Sequence, residues 1–174
     1  MSTAQGMGVR RFGRVNWLGT CTLARREVMR FLNVWSQTIM APLINAGLFL
    51  LIFTIAIGKG RGDVMGVPFM HFLAPGILTM TVIQNAFANT SSSITSAKVQ
   101  GNIVDLLMPP LGPGELLFGL AMAGMTRGVC VGIVTAVTLV SLGGHGLPAY
   151  PLIVLAYLLL GSMALSLAGI LAGI

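Results

Sequence analysis

The sequence predicts an all-α, polytopic membrane protein, with an N-terminal amphipathic interfacial helix followed by about four transmembrane helices. Three observations carry this. The chain is 55% hydrophobic but only 8% charged, against about 25% charged in a soluble domain. Its mean hydropathy is +0.91 over 174 residues. Its long apolar runs match the length a bilayer demands of a helix that must satisfy its own backbone. Ten basic and four acidic residues are too few to coat a soluble domain of this size.

The charge balance is +6, which elsewhere would point to nucleic acid. Here the distribution excludes that partner. Arg10, Arg11, Arg14, Arg25, Arg26 and Arg30 all precede the first apolar run, and no basic stripe interleaved with aromatics follows. The pattern reads as a topology signal and a lipid-headgroup contact, placing the N-terminus on the cytoplasmic side of the membrane. A secretory signal peptide does not fit, because the first apolar run begins near residue 38 and is long enough to span.

Residues 1–15 are expected as a basic, flexible N-terminus. Over 16–35 an amphipathic helix is expected. At 100° per residue, Trp17, Cys21, Ala24, Val28, Phe31, Leu32 and Trp35 share a stripe about 100° wide. Arg26, Arg30, Asn33, Thr22 and Gly19 lie opposite, on the wet side. A helix lying in the membrane interface has this pattern.

The first span is expected at 37–58. It carries no charge, and Pro42 lies in its first turns, where a missing N–H costs least. Gly58, Lys59, Gly60, Arg61, Gly62 and Asp63 close it as an outer loop. The second span is expected at 71–94. Gln84, Asn85 and Asn89 fall in its second half, and amides at that depth must face protein or a wet cavity. They either hold the bundle together or line a pathway.

Residues 95–114 are too polar and proline-rich to span, and form a cytoplasmic loop. Within it, Lys98 to Met108 is expected as a short helix whose apolar side carries Val99, Ile103, Leu106 and Leu107. Pro109, Pro110 and Pro113 stop it. The third span, 115–142, contains Arg127, too far along the helix from Glu115 for a direct contact. It also carries Gly124, Gly128 and Gly132 at four-residue spacing, a close-packing face. After a loop at 143–150, the fourth span fills 150–174. It ends at Ile174 without the polar anchor a natural terminus usually carries, so a truncation is expected.

No GxxxxGK[ST] loop is present, so the chain has no phosphate-cradling loop of its own. Cys21 and Cys130 sit in no CxxC motif, and His71 and His145 have no third ligand at useful spacing. The carboxylates form no readable pair. No enzyme chemistry, metal site or bound cofactor is expected.

Four stretches now carry a resemblance: RREVMRFLNVWSQTIMAPLINAGLF, FMHFLAPGILTMTVIQNAFANTSSSI, KVQGNIVDLLMPPLGPGELLFG and the closing GILAGI. Together they resemble a bacterial ABC transporter permease of the type-two (ABC-2) exporter superfamily. The resemblance implies six spans, of which this chain would lack the last two. It implies a homodimer of permeases forming the pathway, each bound from the cytoplasm by a separate ATPase that holds ATP and Mg. By position, residues 98–108 match the family's coupling helix, so Lys98, Val99, Ile103, Asp105, Leu106 and Leu107 are expected at the ATPase. Residues 16–35 match its interfacial connecting helix, with Trp17, Arg25, Arg26, Arg30, Phe31 and Trp35. Two other readings remain: a partner-independent carrier or channel, motivated by Arg127 and the amides of the second span, and a non-transporting membrane scaffold, motivated by the glycine faces.

Overall fold

A computed structural model describes residues 15–56, 66, 68–143 and 150–174. The predicted outer-loop charges Lys59, Arg61 and Asp63, His145, and Arg10, Arg11 and Arg14 lie outside the described residues. Six helices follow one another: α1 (Trp17–Leu32), α2 (Trp35–Ala56), α3 (Phe69–Val99), α4 (Ile103–Leu107), α5 (Pro113–Gly143) and α6 (Pro151–Gly173). All regular structure among the described residues is helical.

Local chemistry explains the ends. The Asn16 side chain accepts from Gly19 N at 2.9 Å and caps α1. Pro113 and Pro151 open α5 and α6, where a missing N–H is harmless. Glu115 in the first turn of α5 accepts from Gly112 N at 2.8 Å, as in a capping box. Its other oxygen accepts from Asn16 N at 2.5 Å, tying the start of α1 to the start of α5.

α3 is the central helix, packed against both α5 and α6. The glycine face expected on α5 is the reason for the close approach. A Cβ on Gly128 would sit 2.8 Å from the Val82 carbonyl, and one on Gly124 would meet Ser166 and Thr90. Gly169 and Gly173 make the matching face on α6, against Phe87, Thr90 and Ile94. Thr90 Oγ1 donates to the Ser166 carbonyl at 2.8 Å, and Ser166 Oγ to the Ala121 carbonyl at 3.1 Å. Small residues with hydroxyls bridging at contact are how helices associate without a hydrophobic drive.

Three helices are long and apolar enough to cross a membrane among the described residues, at Trp35–Phe53, Pro113–Ser141 and Pro151–Gly173. α3, expected as the second span, is long enough at 31 residues, or about 46 Å at 1.5 Å per residue. Its polar half lowers its hydropathy, and that half is largely turned into protein: Asn85, Asn89, Thr90 and Ser93 are buried.

Two expectations are corrected. First, α3 does not end at residue 94 but continues to Val99, so Lys98 and Val99 belong to the long helix. Gly101 at φ 73° then turns the chain, a left-handed position that glycine takes without strain. A single helix over 98–108 therefore does not form, and α4 is only five residues long. The expected common apolar side is split: Leu106 is buried with Leu23, Ile94 and Leu120, and Ile103 packs against that cluster. Val99 and Leu107 are exposed, as are Lys98 and Asp105.

Second, α1 docks on protein along a strip beside its apolar stripe, so Arg30 is not on a wet face. Asn16, Thr20, Leu23, Glu27 and Phe31 are buried, whereas Trp17, Cys21, Leu32 and Trp35 are exposed. The buried face is rotated by roughly 80° from the stripe at 100° per residue. α1 lies along the first half of α5, with Gly119 admitting Leu23 and the Thr20 carbonyl. The tryptophans, predicted to meet lipid, are left outward by this docking. Arg30, expected on the wet side, is drawn inward.

Candidate functional site: a cationic cleft

The inward turn of Arg30 has a local cause. Glu27 is only 1% exposed, and a buried carboxylate needs a cation and donors. Arg30 sits one turn later, and its Nε donates to Glu27 Oε2 at 2.9 Å. Ser93 Oγ on α3 donates to the same oxygen at 2.7 Å. Arg30 Nη2 continues to the Asn89 carbonyl at 3.0 Å and to Asn89 Oδ1 at 3.4 Å. One ion pair thus staples α1 to α3. Arg30 remains partly open, its side chain 36% exposed.

Beside this staple lies a cleft of about 900 Å3 between α1, α2, α3 and one residue of α5. Arg26, Arg30, Gln84, Asn85 and Arg127 line it, with Glu27 the lone acid. Its apolar lining comes from Phe31, Ala46, Phe49, Ile77 and Met80. Towards the α4 end the lining becomes polar again, through Ser92, Ser96, Gln100 and Asn102, with Leu106 closing it. Pockets of this size suit a small organic ligand or headgroup.

The sequence-predicted pathway residues are therefore brought together. Gln84 is exposed into the cleft, and Asn85 is buried at its wall, its amide donating to the Thr81 carbonyl at 2.9 Å. Asn89 lies behind the wall as the acceptor for Arg30. Arg127 faces the cleft with its Nε buried and without a hydrogen-bond partner. Glu115 is engaged 12 positions away with Asn16 and Gly112, so it does not serve Arg127. Arg26 and Arg30, expected at the interface, also reach the cleft, whereas Trp17, Arg25 and Trp35 do not line it. Sequence reasoning missed Glu27 and Ser93. The signal for Glu27 was its i,i+3 spacing to Arg30 on the side of α1 shared with Thr20 and Leu23.

The coupling candidates sit at one end of the molecule. The C-terminus of α3, α4, the start of α5 and the N-terminus of α1 gather there, joined by the Leu106 cluster and the Glu115–Asn16 bond. Lys98 Nζ also donates to the Ile174 carbonyl, so α6 ends at the same place. No group of three or more His, Cys, Asp or Glu that could hold a metal occurs among the described residues.

Comparison with known proteins agrees with this architecture. The family model described as "ABC-2 type transporter" matches residues 19–174. The inner membrane transport permeases YadH of Escherichia coli and of Shigella flexneri are each 40% identical over 124 residues, covering 71% of this chain and 48% of theirs. The chain thus spans about half the length of the curated relatives it matches. No solved structure matches. With its apolar helix bundle and this match over nearly all the described residues, the chain is a multi-pass inner-membrane protein belonging to the ABC-2 type transporter family.

Proposed function

We propose that this chain is the membrane-spanning part of a permease subunit of an ABC exporter, forming one side of the translocation pathway and coupling to a separate cytoplasmic ATPase. One observation carries the reading. The cleft and the candidate coupling segment share walls: Asn102 and Leu106 close the same cleft into which Arg30 and Arg127 project. A push on α4 moves Leu106 against the cluster that holds α1, α3 and α5, because packed interiors transmit displacement. The staple from Glu27 to Ser93 carries the same movement from α1 to α3.

On this reading Lys98, Val99, Asp105 and Leu107 present the face for the ATPase, while Ile103 and Leu106 anchor it from within. The N-terminus and the 95–114 segment are cytoplasmic. Two permeases pair, lipids surround them, and ATP and Mg stay on the partner. The chain performs no hydrolysis and binds no nucleic acid.

The test is site-directed crosslinking in membranes, using the full-length gene product and its neighbouring ATPase. Leu107→Cys, at a position 64% exposed, is expected to crosslink to the ATPase, with ATP changing the yield. Leu152→Cys, 79% exposed but at the opposite end of α6, is not. Equal labelling at both positions, or none at Leu107, refutes the coupling assignment. The cleft also favours a second reading, a partner-independent carrier. Transport by the purified protein alone in liposomes would select it.

A further inference from the structure

The cleft holds three arginines and one carboxylate among the described residues that line it. That carboxylate is already engaged by Arg30 and Ser93. Arg26 and Arg127 therefore remain uncompensated, a net charge of +2. Arg127 lies 12 residues along α5 from Glu115, at mid-span depth, where an unpaired guanidinium is expensive. Its buried Nε lacks an acceptor, and Arg30 lines the same cleft. Like charges gathered in a cleft, with a donor left open, are the arrangement that receives an anion. The planar guanidinium fork matches phosphate bidentately, and Gln84 and Asn85 line the same cleft as Arg127. The apolar wall of Phe49, Ile77 and Met80 gives such a ligand room for a hydrophobic part.

We propose that this cleft is a binding site for a phosphate-bearing anion, held between Arg127 and the Arg26–Arg30 edge of α1, whether as the headgroup of an amphiphile or as free phosphate. The proposal rests on the permease reading for its use as a pathway site, but not for the binding itself.

The full-length protein in nonionic detergent is titrated with dioctanoyl phosphatidylglycerol, dioctanoyl phosphatidylcholine and sodium phosphate, each against chloride of equal ionic strength, following the thermal unfolding midpoint. Phosphatidylglycerol is expected to raise the midpoint saturably, at concentrations about tenfold or more below phosphatidylcholine. Phosphate acting as strongly as phosphatidylglycerol assigns the ligand to the free anion; phosphate acting weakly assigns it to the amphiphile. Arg127→Gln is expected to raise the half-saturating concentration about tenfold or more, and Arg26→Gln, at an exposed position, to raise it as well. Arg127→Lys keeps the charge without the fork, and is expected to fall between. Shifts that are equal for both lipids, unchanged in Arg26→Gln and Arg127→Gln, or absent for every anion overturn the proposal. Absence for every anion would also indicate a protein group as the partner of Arg127. Crosslinking of Leu107→Cys to the ATPase, run on the same preparations, separates the two readings: crosslinking without anion binding fails this proposal alone, and anion binding without crosslinking fails the coupling assignment alone.

Discussion

Glu27→Ala is the sharpest perturbation of the fold, because Glu27 is 1% exposed and serves two partners on one oxygen. Two effects are lost. The Ser93 hydroxyl at 2.7 Å is a hydrogen bond to a charged acceptor, worth about 1.5–3 kcal/mol. Polar bonds between membrane helices measure lower, averaging about 0.6 kcal/mol, so about 1–2 kcal/mol is expected here. The ion pair to Arg30 is weaker than a buried one, because Arg30 is 36% exposed; about 1 kcal/mol is appropriate. Arg30 retains the Asn89 carbonyl at 3.0 Å. Glu27→Ala should thus destabilise by about 2–3 kcal/mol. Glu27→Gln keeps an acceptor for Ser93 and loses only the charge, for about 1 kcal/mol. The assay is reversible unfolding in mixed micelles, with Ser93→Ala and the double variant completing a thermodynamic cycle. A Glu27–Ser93 coupling of about 1 kcal/mol or more is expected. Zero coupling, or Glu27→Gln as damaging as Glu27→Ala, would refute the staple.

Other predictions follow from the packing. Gly128→Ala places a methyl 2.8 Å from the Val82 carbonyl, backbone that cannot step aside, and should cost about 1–3 kcal/mol in the same unfolding assay. Gly76→Ala meets nothing within 4 Å, and by removing a flexible residue from a helix should be neutral or stabilise by up to about 1 kcal/mol. If the two behave alike, the α3–α5 contact is misplaced. Glu115→Ala releases Asn16 N and Gly112 N together, and should loosen the α1 N-terminus by about 1–3 kcal/mol, read as faster proteolysis near Val15 with the α3–α6 contacts unaffected. Gly101→Val forces a branched side chain into φ 73° and should cost about 1–2 kcal/mol locally, seen as faster amide exchange through α4 rather than in the bundle.

The sequence by itself determined the class of molecule, because bilayer solvent imposes length and apolarity on every span regardless of what it packs against. It also showed the glycine face of α5, since a missing Cβ is a local property that suits close packing in an apolar helix. The site was legible only in part. Gln84, Asn85 and Arg127 stood out because polar groups at depth need company, but which company was not written in any one segment. The joining of Glu27 to Ser93, 66 positions away, and the turning of Arg30 into the cleft depended on the rotation of α1 against α5. The apolar stripe marked the side left to lipid and carried no signal for that rotation, because a membrane helix need not dock on protein through its most apolar side. Gly119 admits Leu23 and the Thr20 carbonyl, while the tryptophans stay outward. Tertiary structure decided the rest for that reason: in a bilayer, hydrophobicity says which residues leave water, and close packing and paired charge decide which of them meet.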